Sequence, residues 1–141
     1  MSLICLSIDH CGKPNNISDR GAVGHEELCE VDYSGRYAWI CERYLRKAGL
    51  DTVVISSGSY ESRWNFADGL GATAYIALHM NAGAGDRGEI FFDYRTSPGN
   101  GVALAAAIRD SLDDRVPWFV ETKPASQTAR AYRCIEGLRT T

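Results

Sequence analysis

Apolar residues fall along this chain in short continuous runs that alternate with stretches of helical period. Leu3-Ile4-Cys5-Leu6-Ser7-Ile8 predicts a buried first strand, delivered into Asp9-His10 and then a polar loop from Gly12 to Gly24. Ser34, Tyr37, Ala38, Cys41, Tyr44, Leu45 and Ala48 recur at three- and four-residue steps, which predicts a helix from about Val31 to Ala48 with Glu42, Arg43, Arg46 and Lys47 off its apolar face. Gly49 supplies the stop. A β-branched run, Thr52 to Ser56, predicts the second strand; Tyr60 to Leu70 a helix; Ala74 to His79 the third strand. Gly88 to Tyr94 predicts a fourth strand, Ser97 to Gly101 a turn, and Val102 to Leu112 a helix with Leu104, Ala105, Ile108 and Leu112 inward. Val116 to Val120 predicts a short strand and Ala129 to Leu138 a last helix. The alternation argues for an α/β protein with one mostly parallel sheet covered by helices on both faces.

A length of 141 residues suits a single domain, 1–141, with one core. The net charge of −3 leaves no basic surface for nucleic acid, and Arg43, Arg46 and Lys47 read as a solvated helix face. No apolar run approaches the ~20 residues that span a bilayer. Leu3 to Asp9 is too short for the apolar core of a signal peptide, so the expected chain is made in the cytoplasm and begins directly as a folded domain. Five cysteines at scattered spacing, with no Cys-x-x-Cys pair, suggest neither a disulfide framework nor a thiolate zinc site. Cys5 and Cys41 fall in apolar patterns, as reduced core residues do.

Two of the three histidines, His10 and His79, stand at the carboxyl ends of predicted strands. Open α/β sheets place ligands at the carboxyl ends of their strands. Two imidazoles there, with one carboxylate, make the donor set of a catalytic zinc site that keeps a coordination position open. Glu26, Glu27 and Glu30 precede the first long helix, and pairing of acids with the helix dipole explains them equally well. His25-Glu26-Glu27-Leu28-Cys29 imitates the metalloprotease His-Glu-x-x-His pattern, but that pattern needs a regular helix, and Gly21 and Gly24 just before it favour loop.

Five segments, in order and spacing, resemble the zinc-dependent N-acetylmuramoyl-L-alanine amidases, the cell-wall amidases of autolysins and phage endolysins. Ile8-Asp9-His10-Cys11-Gly12 resembles the family's strand and Gly-His-Gly turn, and Asp19-Arg20-Gly21-Ala22-Val23-Gly24 its Asp-Pro-Gly-Ala loop. Counting back from Ala48-Gly49 along the long helix lands on Glu30 as the family's ligand acid. Arg63-Trp64-Asn65-Phe66-Ala67-Asp68 resembles its Arg-x-x-x-Ala-Asn segment, and Ala77-Leu78-His79-Met80-Asn81-Ala82 its Ser-Ile-His-Ala-Asn-Ala signature. The Gly-rich stretch and strand from Asp86 to Tyr94 follow as in the family. The resemblance implies an amidase/phosphorylase-like fold, a single twisted mostly parallel sheet flanked by helices on both faces. It further implies Zn2+ held by His10, Glu30 and His79, and cleavage of the bond between N-acetylmuramic acid and L-alanine in peptidoglycan.

Asp9 and Cys11 stand where the family carries glycine. The family also places a catalytic Glu at the end of a late Pro-x-x-Leu-Val-Glu strand. Tyr132 to Thr141 resembles the segment just before that strand, so the strand and its Glu are expected beyond Thr141. Pro117-Trp118-Phe119-Val120-Glu121 imitates the motif, which makes Glu121 the acid available within the sequence. The expected function is therefore an endolysin-like peptidoglycan amidase acting on the cell wall. The alternative is a non-catalytic wall-binding or truncated relative.

Overall fold

A computed structural model describes residues 2–10, 20–24, 28–80, 87–92, 98–117 and 119–124. The chain divides into two compact units, Met1–Ala82 and Gly83–Arg139. The predicted helix at Ala129 to Leu138 lies outside the described residues. Among the described residues no helix is long and apolar enough to cross a membrane.

The first unit holds β1 (Leu3–Ile8), α1 (Glu30–Lys47), β2 (Asp51–Ile55), α2 (Tyr60–Gly69) and β3 (Ala74–Leu78). The strands form a parallel sheet in the order β2-β1-β3, with Cys5 opposite Val53 on one side and Tyr75 on the other. Side chains alternate between faces along a strand. On one face Cys5 packs with Ile55, with Ala67 of α2 and with Ala72, and Leu3, Val53 and Tyr75 close around them. On the other, α1 lies against the sheet, close enough that a Cβ on Gly35 would sit 4.0 Å from Cδ1 of Ile8. The mixed α/β architecture of parallel strands with flanking helices is thus present. Ala67 is fully buried. Ala67→Leu therefore overpacks this face and is expected to lower the unfolding free energy by about 1–3 kcal/mol, read from urea denaturation.

The buried stripe of α1 is Glu30, Ser34 and Ala38, with Cys41 and Leu45 partly covered. Tyr37 and Tyr44, expected inward, are 51% and 67% exposed. Small residues at 34 and 38 let the helix lie close to the sheet, and that closeness turns the tyrosines outward. The helix stops at Gly49 (φ 84), where the N–H of Leu50 reaches the carbonyl of Leu45 at 3.0 Å, as a left-handed cap requires. Cys5 and Cys41 carry free thiols, and burial pushes the pKa of both upward.

The second unit holds β4 (Arg87–Phe92), α3 (Pro98–Asp113) and β5 (Phe119–Pro124). β4 and β5 pair in parallel, and α3 packs on both. Pro98 to Gly101, expected as part of a turn, forms the first turn of α3, because proline at the first helical position gives up no needed N–H. The strand expected at Val116 to Val120 begins only at Phe119, after Pro117, and runs on through Thr122 and Lys123.

Candidate metal centre

The register that pairs Ile8 with Leu78 brings the residues after β1 and β3 side by side. The connection through α1 leads from β1 to one neighbour, and β3 returns to its other side. The gap between β1 and β3 is therefore the point where the strand order reverses, the usual ligand crevice of an open α/β sheet. His10 follows β1 in the left-handed region (φ 57), a conformation that costs a non-glycine residue roughly 1–2 kcal/mol and turns the chain sharply at the sheet edge. His79 follows β3 and is 31% exposed.

Glu30 is brought to the same place by the start of α1. The segment 20–24 is laced to that helix end: Glu30 N–H donates to the Ala22 carbonyl at 2.8 Å, and Val23 forms an antiparallel bridge with Cys29. Arg20 pairs with Asp32 at 2.7 Å, and Asp32 accepts from the Cys29 N–H at 2.9 Å. The Glu30 carboxylate is nearly fully buried, yet its oxygens are surrounded by donors. Oε1 accepts from the Met80 N–H at 2.9 Å and lies 3.0 Å from Nδ1 of His79. Oε2 accepts from the Ala22 N–H at 3.1 Å and lies 3.4 Å from Nε2 of His10. Burial by itself would raise the Glu30 pKa. The hydrogen bonds from His79, Ala22 and Met80 and the charge of His10 outweigh it and lower the pKa to about 2. The group is a carboxylate at neutral pH.

One ligand atom each from His10, Glu30 and His79 lies within 4.8 Å of the others. The imidazole rings meet edge to face, with centroids 6.0 Å apart. Two nitrogens and an ionised oxygen, converging at a sheet edge with one ring reaching solvent, fit a borderline divalent cation with a position left for water or substrate.

The sequence profile of the N-acetylmuramoyl-L-alanine amidases matches residues 4–134. The chain belongs to this family. Among solved structures it is similar to the N-acetylmuramoyl-L-alanine amidase AmiC2 of Nostoc punctiforme, at 22% identity and TM-score 0.62, over 86% of this chain and 69% of that one. It is also similar to the apo form of the N-acetylmuramyl-L-alanine amidase Ami1 of Mycobacterium abscessus, at 12% identity and TM-score 0.69, over 99% and 78%. Both show the same fold. No curated protein matches the chain in sequence.

The amidase segments read from the sequence therefore bring His10, Glu30 and His79 into one cluster. Glu121, the other acid singled out, belongs to the second unit, on β5, where it ion-pairs with Lys123 and stands opposite Glu89 in the register. Lys123 also donates to Glu89 at 3.0 Å, and these two carboxylates, Glu121 first, raise its pKa. His25, Glu26 and Glu27 of the alternative metal pattern lie outside the described residues, as does Cys11. Cys29, which that pattern would place on a helix, is extended (φ −101, ψ 159) and caps α1.

Sequence reasoning missed two features of the site. Asp9, read only as a departure from glycine, is fully buried, hydrogen-bonded to Arg63 at 2.7 Å and in contact with His79. Arg63, read only as part of a family segment, is the largest fully buried side chain among the described residues. An Asp next to a strand-end histidine, with an Arg in the crossover helix, was the available signal.

Proposed function

We propose that this amidase is zinc-dependent and endolysin-like, with His10, Glu30 and His79 as ligands, and that it hydrolyses the amide joining the lactyl group of N-acetylmuramic acid to L-alanine. The observation that carries the reading is the convergence of the three donors at the crevice between β1 and β3. A zinc ion bound there supplies Lewis acidity toward the scissile carbonyl and toward water. Glu30 contributes the single negative charge of the donor set, and the Ala22 and Met80 amides keep it ionised and fixed. His10, held by the turn after β1, closes one side. His79 borders solvent and marks the side from which a peptide stem enters.

Hydrolysis also needs an acid to carry the proton to the leaving amine, a contribution of typically ~10²–10⁴-fold. Glu121 is the acid that the sequence offers. Its engagement by Lys123 favours a second reading, a relative that keeps the fold and the metal and binds the wall without cutting it.

Incubation of the zinc-loaded protein with purified peptidoglycan separates the two. The amidase releases stem peptides with new L-alanine amino termini, loses that activity to a chelator and regains it with zinc. Retention on insoluble wall with no new amino termini establishes the second reading. Glu121→Gln tests the acid: a loss within the range above assigns the proton transfer to Glu121, and unchanged release removes it from the chemistry.

A further inference from the structure

We propose that Asp9, held in place by Arg63, is the positioning residue for His79: its carboxylate takes the Nε2 side of the ring and so aims Nδ1 at Glu30 and the metal. The proposal rests on the metal-centre reading above and deepens it.

The placement begins in the sheet. Ile8 pairs with Leu78, so the next residues, Asp9 and His79, continue the parallel register side by side. Asp9 shares the face of Ser7 and Cys5, the face that α2 covers, and Arg63 descends from α2 onto it. Arg63 is anchored independently: its Nε donates to the Gly58 carbonyl at 2.9 Å and its Nη1 to Ser7 Oγ at 3.3 Å. The same Nη1 donates to Oδ1 of Asp9 at 2.7 Å. Oδ2 is left, and it touches Nε2 of His79; among the described residues it has no other partner.

The other ring nitrogen, Nδ1, is the one that faces Glu30, 3.0 Å away. A histidine ligand nearly always gives its second ring N–H to a carboxylate or carbonyl, which fixes tautomer and orientation and raises the basicity of the ligating nitrogen. Here the two nitrogens are divided in that way between two acids. Asp9 brings no net charge to the centre, because Arg63 neutralises it.

Energetics favour a positioning duty over a purely structural one. Both side chains of the Asp9–Arg63 pair are 0% exposed. A buried ion pair usually stabilises a fold no better than well-packed apolar residues of the same volume, so its presence calls for another purpose. His79, by contrast, is 31% exposed, so packing encloses only part of its ring.

The test measures zinc affinity by competition with a chelating dye, and the visible spectrum of the Co2+-loaded protein, for the wild type, Asp9→Asn and the double variant Asp9→Asn/Arg63→Gln. Asparagine keeps the shape but cannot serve as the anionic acceptor for the Nε2 proton. The double variant also removes the buried arginine charge, so it answers the question even where the single variant is too unstable to fold. Far-UV circular dichroism of the metal-free proteins confirms the fold. The expected result is zinc binding weakened ~10–100-fold in both variants, with an altered Co2+ spectrum. A folded double variant with wild-type zinc affinity and an unchanged Co2+ spectrum overturns the proposal while leaving the metal centre intact. A wild-type protein that takes up no zinc overturns the metal centre, and this proposal with it.

Discussion

Replacing His79 by alanine is expected to abolish stoichiometric metal binding while leaving the fold intact. The ring sits after the end of β3, partly exposed, and the hydrophobic cluster of the first unit does not include it. Its loss removes one of the three converging donors and leaves only His10 and Glu30. The cost in zinc affinity should exceed the ~10–100-fold that follows loss of a partner behind a ligand, because the ligand itself is gone. Wall hydrolysis falls to background with it. Metal content after dialysis, measured by emission spectroscopy beside a thermal melt of the metal-free protein, checks both halves. Full metal content in His79→Ala would remove His79 from the centre.

Gly21→Ala is expected to break the same centre from the opposite side, through the backbone. Gly21 has φ 78, a region where a side chain costs roughly 1–2 kcal/mol. A Cβ there would meet Oε2 of Glu30 at 2.5 Å, Cβ of Glu30 at 2.6 Å and Cδ2 of His10 at 2.8 Å. Glu30 is a buried group at the first turn of α1, tied by its own N–H to Ala22, so it has little room to withdraw. Overpacking of this kind costs a further ~1–3 kcal/mol. The variant should therefore melt at lower temperature and bind zinc far more weakly. Gly49→Ala is the matched control: its φ is also positive (84), but nothing lies within 4 Å of the added Cβ. Equal zinc affinity in Gly21→Ala and Gly49→Ala would show that the glycine does not shape the ligand cluster.

The strands of the first unit were legible because each is a short apolar run bounded by turn residues, and Leu3–Ile8 was read to the residue. The clustered histidines were legible for the same reason, since each stands at the carboxyl end of such a run. Glu30 was ambiguous from charge alone. Its neighbours Glu26 and Glu27 suit the helix dipole as well, and only the family spacing picked it out. The inward face of α1 was misread because periodicity ranks tyrosine as apolar, whereas the close approach of helix to sheet selects Ser34 and Ala38. The first turn of α3 was misread because Pro-Gly-Asn-Gly has the composition of a turn, and only the helix that follows converts it. Asp9 and Arg63 were not legible as partners. They are far apart in the chain, and nothing in local pattern announces that a crossover helix will drop an arginine onto a strand end.

The proposed function depends on three side chains meeting at one cation. The most direct test is a crystal of the zinc-loaded protein measured at the zinc absorption edge. One anomalous peak per chain, between His10, Glu30 and His79 with each at bonding distance, is the predicted result. A zinc-saturated crystal with no peak there, or with its peak at other residues, would contradict it.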